Sequence, residues 1–105
     1  MIQAKRYLAA AAALLIAVAG ASAQTYPSRP ITIVVPAAPG GVTDMLGRIL
    51  AKRLTEKWGQ PAIVENKPGA NNQIAAEYVT KAAPDGYTLF VGPETTFVVN
   101  PGIYT

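Results

Sequence analysis

The sequence predicts an α/β fold in which parallel strands alternate with helices. Three short stretches rich in β-branched or aromatic residues are each followed by a loop that contains Pro and Gly, and amphipathic stretches separate them. This alternation is typical of a parallel sheet with crossover helices. The length of 105 residues allows one domain at most. With half of the residues hydrophobic and only 14% charged, the composition is not that of a disordered chain.

The N-terminal segment 1–23 is predicted to be a secretory signal peptide. Two basic residues precede an apolar run of 12 residues from Leu8 to Ala19, and small residues follow at Ala21 and Ala23. A membrane span needs about 20 apolar residues, so this run is too short to be an anchor. We expect cleavage after Ala23 and a mature chain of residues 24–105. An exported short chain without Cys indicates a bacterial periplasm.

The first strand and helix of the mature chain are the clearest elements. Ile31–Val35 contains five β-branched residues in succession, which favours a strand buried on both faces of a parallel sheet. A Pro- and Gly-rich loop follows, and Thr43 and Asp44 are expected to cap the next helix, which ends before Gly59. Apolar residues at helical spacing predict its buried face: Leu46, Ile49, Leu50, Leu54 and Trp58.

A second helix and two further strands complete the pattern. Ala62–Val64 is a short strand, Glu65–Asn72 a loop, and Thr88–Val91 the third strand. Between them lies an amphipathic helix whose apolar positions are Ile74, Ala75, Tyr78, Val79 and Ala82. The element order is therefore βαβαβ. Tyr87 and Trp58 are expected to pack in the core.

The topology follows from the handedness of crossover connections. If both crossovers are right-handed and the two helices cover opposite faces, the strand order is 2-1-3 with the first strand in the centre. Ligands of such sheets bind beyond the carboxyl ends of the strands, where the strand order reverses. The three loops that leave those strand ends are therefore the candidate binding region.

Composition excludes most catalytic chemistry. The chain has no Cys and no His, so it lacks thiol nucleophiles, the usual zinc ligands and the commonest general base. Asp44, Glu65 and Glu94 are isolated carboxylates, and no Gly-rich nucleotide motif follows the first strand. The basic residues of the mature chain are scattered without interleaved aromatics, which argues against nucleic acid. We predict a protein that is not an enzyme and has neither cofactor nor metal.

Two of the loops have the composition of an anion site. Gly40-Gly41 and Gly69-Ala70 each lie just before a predicted helix, where free backbone N–H groups and the helix dipole favour a negative charge. Two such helix ends are able to bind a carboxylate with neutral donors alone. A Pro-Gly-Gly sequence is also typical of a simple tight turn. The pattern alone leaves both interpretations open.

Five motifs in order resemble one family over almost the whole mature chain. They lie at Tyr26–Ile31, Pro36–Asp44, Glu65–Ala70, Ala82–Leu89 and Asn100–Pro101. Together they closely resemble the N-terminal part of the substrate receptors of tripartite tricarboxylate transporters, also called Bug receptors. The resemblance implies a periplasmic binding protein of two α/β lobes that close on a small organic carboxylate. It also implies delivery of that ligand to two integral membrane permease subunits.

The resemblance also implies which residues bind the ligand, largely through main-chain groups and bound water. Carried over by motif, they are Ala37, Ala38, Pro39, Gly40, Gly41, Val42, Thr43, Asp44, Gly69, Ala70, Asn71 and Asn72, with Glu94, Thr95 and Thr96 less clearly matched. Two departures from the family pattern affect ligand choice. Glu94 stands where small or hydroxyl residues are frequent, and Asn71-Asn72-Gln73 replaces a stretch commonly richer in Gly.

The length does not suit a complete two-lobed receptor, which needs well over about 200 residues. We therefore expect residues 24–105 to be a partial N-terminal lobe, from a fragment or a truncated or split gene. Two other functions stay open: a stand-alone signalling or interaction module that contacts a membrane sensor, and a truncated product without binding activity.

Overall fold

The computed structural model describes residues 1–20 and 23–103. Its helices and strands, in chain order, are α1 (Ile2–Ala19), β1 (Ile31–Val35), α2 (Val42–Trp58), β2 (Ala62–Asn66), α3 (Gln73–Lys81), β3 (Thr88–Phe90), α4 (Thr95–Val98) and α5 (Asn100–Ile103). A single turn at Ala70–Asn72 precedes α3. Residues Ala21 and Ser22 of the predicted cleavage sequence lie outside the described residues.

The three strands form one parallel sheet in the order β2-β1-β3, as predicted. The central strand is the core of the molecule, because Ile31, Ile33, Val34 and Val35 are almost completely buried. β2 continues to Asn66, beyond its predicted end, and pairs with β1 along its whole length. α2 packs on β1 and β2, whereas α3 packs on β1 and β3. The predicted βαβαβ order and the central position of β1 are both confirmed.

The buried face of α2 differs from the prediction. Its buried residues are Asp44, Gly47 and Ala51, whereas Leu46 and Ile49 are more than half exposed. The physical reason is close approach of helix and strand: a Cβ added at Gly47 would lie 2.7 Å from the Val35 side chain. Small residues therefore carry the contact with the sheet. Of the predicted positions, Leu54 is confirmed, because it packs partly buried against the core, whereas those of Leu46 and Ile49 were wrong.

Aromatic residues tie the lead-in segment before β1 to the rest of the fold. The Tyr26 ring lies 5.1 Å from that of Tyr87 and 5.6 Å from that of Trp58. The Arg29 guanidinium pairs with Asp85 at 2.6 Å. Trp58 is 39% exposed and Tyr87 is half-buried, so the predicted core positions of both were wrong. They form a surface clasp for the lead-in segment.

The predicted signal segment is helical over most of its length. α1 begins at Ile2 and ends at Ala19, and the side chains described within it are exposed. Among the described residues, no helix combines the length and apolarity needed to cross a membrane.

Candidate functional site

Three chain segments meet at the carboxyl edge of the sheet. Loop 1 comprises residues 36–41 and follows β1. Loop 2 comprises residues 67–72 and follows β2. The third segment comprises residues 91–96 and follows β3. The hydrogen-bond ladder continues past the strands: Lys67 N–H donates to Val35 C=O at 2.8 Å, and Val91 N–H to Val34 C=O at 3.0 Å. All three segments therefore leave the sheet at one level, as the topology predicts.

Loop 1 leads directly into the N-terminus of α2. The N-cap is Gly41, so the predicted capping positions Thr43 and Asp44 belong to the first helical turn. The first intrahelical bond runs from Met45 N–H to Gly41 C=O at 2.9 Å. The N–H groups of Val42, Thr43 and Asp44 consequently have no acceptor within the helix. They are the neutral donors that this loop presents to the sheet edge.

Asp44 is the most strongly bound side chain of this edge. It is 3% exposed, and its Oδ2 accepts hydrogen bonds from Gly40 N–H at 3.0 Å and from Arg48 Nε at 2.9 Å. Its Oδ1 accepts from Asn66 Nδ2 at 2.8 Å. The bonds from Arg48, Asn66 and Gly40 lower the pKa of Asp44 to about 2 against the opposing effect of burial. The ionised Asp44 carboxylate thus holds loop 1 in place. Asp44 is not an N-cap residue.

Asn66 connects the end of β2 to loop 1. Its Nδ2 donates to Ala37 C=O at 2.9 Å as well as to Asp44, and its Oδ1 accepts from Arg48 Nη2 at 3.4 Å. Asn66 lies in the predicted loop Glu65–Asn72, and no role was predicted for it. Its position in the Glu65–Ala70 motif was the one available signal. The side chain holds the roots of loops 1 and 2 side by side.

Loop 2 contains an unusual backbone. Four successive residues have positive φ: Gly69 at 122°, Ala70 at 49°, Asn71 at 53° and Asn72 at 69°. Gly accepts this region freely and Asn tolerates it, but Ala does not. Non-Gly residues held there cost about 1–3 kcal/mol each, so surrounding contacts must maintain the turn. The turn delivers the chain to the N-terminus of α3 at Gln73.

The third segment turns into helix sooner than predicted. A loop was expected to follow the third strand, but α4 begins at Thr95, with Glu94 at its N-cap position. Glu94 and Thr95 are exposed, whereas Thr96 is buried. Among the described residues, no group lies within hydrogen-bond distance of the Thr96 hydroxyl. The segment therefore adds two exposed polar residues to the edge and turns Thr96 inward.

A buried amide connects α5, which follows the third segment and α4, to loop 2. Asn100, the first residue of α5, is 2% exposed, and its Nδ2 donates to Asn71 C=O at 2.7 Å. The Asn71 side chain returns a bond to Asn100 Oδ1 at 3.1 Å. Asn100 belongs to the Asn100–Pro101 motif, for which no function was predicted.

Two cationic side chains of this edge, Lys67 and Arg48, already have partners. Lys67 Nζ lies 3.1 Å from Glu65 Oε1 and 4.1 Å from the centre of the Tyr78 ring. Arg48 pairs with Asp44. The arrangement therefore offers backbone N–H groups, hydroxyls and amides, which recognise an anion without a formal counter-charge.

The larger of two described clefts lies beside this edge. It has a volume of about 610 Å³ and is lined by Pro39, Gly40, Asp44, Met45, Arg48, Ile49 and Lys52. The other cleft measures about 230 Å³ and lies between α3 and the α4–α5 region. Neither is lined by residues of both loops. Residues 38–41 of loop 1 and 68–71 of loop 2 are exposed, so the two loops form an open surface.

The sequence matches a known family of receptors. The family model described as "Tripartite tricarboxylate transporter family receptor" matches residues 46–105. A UPF0065 protein of Bordetella pertussis is 50% identical over 92 residues, and protein BugT of the same organism is 46% identical over 88 residues. These matches cover 88% and 80% of this chain but 28% and 27% of the relatives. The chain therefore spans little more than a quarter of the length of these relatives.

Solved structures agree with the sequence matches. A structure described as a periplasmic transporter is 45% identical, with a TM-score of 0.72 over 76% of this chain and 27% of its own. An R. palustris protein solved with adipate is 47% identical, with a TM-score of 0.62 over 63% of this chain and 22% of its own. MatC from Rhodopseudomonas palustris, solved with bound malate, is 45% identical, with a TM-score of 0.59 over 62% of this chain and 22% of its own. The chain belongs to the tripartite tricarboxylate transporter receptor family.

Proposed function

We propose that this chain supplies part of the first ligand-binding lobe of a periplasmic solute receptor for a small organic carboxylate. One observation carries the proposal: two loops that each lead into a helix N-terminus lie side by side at the carboxyl edge of a parallel sheet. Partially positive helix ends and free N–H groups favour a carboxylate there. The adipate and malate in two family structures support this ligand class.

The residues proposed to contact the ligand are those that the motifs indicate. In loop 1 and α2 they are Ala37–Asp44, in loop 2 Gly69–Asn72, and in the third segment Glu94–Thr96. Within this set the contacts distinguish residues that bind the ligand from residues that position the loops. The Gly40 N–H is already bound to Asp44, so Val42 and Thr43 are the main-chain donors that we assign to the carboxylate. Asp44 and Asn66 hold the loops in place.

A second surface is required to cover the ligand, because the two loops form an open face. The size of the relatives is consistent with a second lobe that supplies this surface. We propose that the complete receptor closes on its ligand and presents it to two integral membrane permease subunits.

We further propose that residues 1–23 are the export signal. Mass spectrometry of periplasmic protein should then give an N-terminus at Gln24, and a soluble exported product that retains Met1 would contradict the signal.

Calorimetry tests the ligand class in a receptor of family length that carries this segment. Malate and adipate are titrated, with adipamide as the matched neutral control, because it keeps the carbon chain and loses both charges. We expect at least one dicarboxylate to bind and adipamide to show no measurable heat. Equal binding of adipate and adipamide would contradict an anion site. Absence of binding by every dicarboxylate tested would contradict the proposed function.

A further inference from the structure

We propose that Asn100 is a positioning residue that holds loop 2 in its ligand-binding conformation. This inference rests on the proposed function, since it concerns the loop to which a carboxylate is assigned. Asn100 lies 29 residues beyond Asn71 and belongs to a different segment of the sheet edge. Its side chain is nevertheless directed at the backbone of the loop 2 turn.

The geometry is that of a two-sided amide clasp. Asn100 Nδ2 donates to the Asn71 carbonyl at 2.7 Å, and Asn71 Nδ2 donates to Asn100 Oδ1 at 3.1 Å. A third, longer contact of 3.4 Å joins Asn100 Nδ2 to Gln73 Oε1, at the first residue of α3. Because Asn100 is 2% exposed, water does not replace these bonds easily. The clasp therefore fixes both the turn and the start of the helix.

The loop needs such a clasp because its own residues do not favour its conformation. Ala70, Asn71 and Asn72 all have positive φ, and none of them is Gly. A flexible chain of this composition would leave the left-handed region and move its N–H groups away from the sheet edge. In this protein a distant side chain maintains a conformation that glycines would adopt on their own. Asn100 thus acts on the ligand through loop 2 without touching it.

The test compares Asn100→Ala with a rescue variant and a control in a receptor of family length. Amide hydrogen exchange at Gln73, whose N–H closes the turn on Ala70 C=O, and at the residues that follow it in α3 reports the turn without any ligand, and calorimetry with malate and adipate reports binding. We expect Asn100→Ala to speed exchange of these amides at least about tenfold, as for loss of one buried hydrogen bond, and to weaken binding by a similar factor. Glu77→Ala, at an exposed polar position on α3, should change neither.

The rescue variant separates positioning from general stability. Adding Ala70→Gly to Asn100→Ala removes a positive-φ penalty inside the turn, so affinity should recover in part. A role of Asn100 in core packing would not be rescued from Ala70. If Asn100→Ala does not fold, the exposed Asn71→Asp, which also tolerates positive φ, removes the donor to Asn100 Oδ1 and should also speed exchange. Unchanged exchange in both variants, or faster exchange with unchanged affinity, would overturn the proposal. A parent receptor that binds no dicarboxylate contradicts the proposed function, while exchange still decides whether the clasp holds the turn.

Discussion

Asp44 places a negative charge at the same sheet edge where we propose that an anion binds. The charge does not oppose the ligand strongly because Arg48 pairs with it at 2.9 Å and three donors are directed at its two oxygens. The ion pair and the Gly40 contact turn the carboxylate towards the protein. Asp44 therefore organises the donors of loop 1, while the helix N-terminus faces the ligand.

The lowered pKa of Asp44 predicts an acid-sensitive contribution to stability. Its folded pKa of about 2 lies below the ordinary value of 3.8, so the contribution is complete above about pH 4 and is lost as pH falls towards 2. We expect Asp44→Asn to lower the urea midpoint at pH 7 and to flatten its pH dependence between 4 and 2. Asp85→Asn, at a more exposed pair, should do so less. An unchanged pH profile in Asp44→Asn would contradict the role assigned to the network.

Substitution of Gly41 is expected to affect ligand affinity more than the stability of the fold. Its φ of −79° is open to any residue, and a Cβ built there meets only Ala38 C=O, at 3.9 Å. Gly41→Val should therefore cost at most about 1 kcal/mol of stability, from the loss of a favourable N-cap residue, and weaken carboxylate binding about ten- to a hundredfold, the effect of one lost charge-assisted contact. Gly40→Val is the contrasting control: its φ of 100° makes any side chain strained, so its unfolding midpoint should fall. Calorimetry and thermal melts distinguish the two, and unchanged affinity in Gly41→Val would remove Gly41 from the site.

Among the helices and strands, the sequence correctly predicted those features that depend on local composition. Five β-branched residues identified β1, and the alternation of strands, loops and helices led to the parallel order β2-β1-β3. The rotation of α2 was mispredicted because Gly47 and Ala51 carry its contact with the sheet, and hydrophobic periodicity gives small residues little weight. Asn66 and Asn100 were missed as site residues because their bonds join segments up to 29 residues apart, which no local pattern records.

The orientation of α2 predicts a large loss of stability on substitution of Gly47 and a small one on substitution of the adjacent Leu46. Gly47→Ala should destabilise by about 1–3 kcal/mol, because the added methyl group lies 2.7 Å from Val35 Cγ2 and must push helix and strand apart. Leu46→Ala should cost no more than about 0.5 kcal/mol, since Leu46 is 55% exposed. Urea unfolding of the two variants measures both values. The reverse ranking would restore the buried face that periodicity predicts and would contradict the observed packing.

At the scale of the whole molecule, apolar surface is left uncovered on two sides. On α2 the large exposed side chains are Val42, Met45, Leu46 and Ile49, and near α4 they are Phe97, Val98 and Val99. Phe90 and Val91 are half-buried, with the Phe90 ring packed at 5.4 Å against the Phe97 ring. Exposed apolar surface of this extent is typical of a segment that packs against further structure.

We therefore expect residues 24–105 on their own to be marginally stable and to bind carboxylates no more tightly than about millimolar, near −4 kcal/mol. A three-stranded parallel sheet has two open edges, and loops 1 and 2 leave any ligand exposed to water on the side where a second lobe would lie. Trp58, the only tryptophan, contacts Tyr26, so its fluorescence reports whether the lead-in segment is docked. Urea titration of this fluorescence should show a weak or broad transition, and light scattering should show association as concentration rises. A sharp cooperative transition together with micromolar binding of malate or adipate would show instead that this segment is a complete receptor.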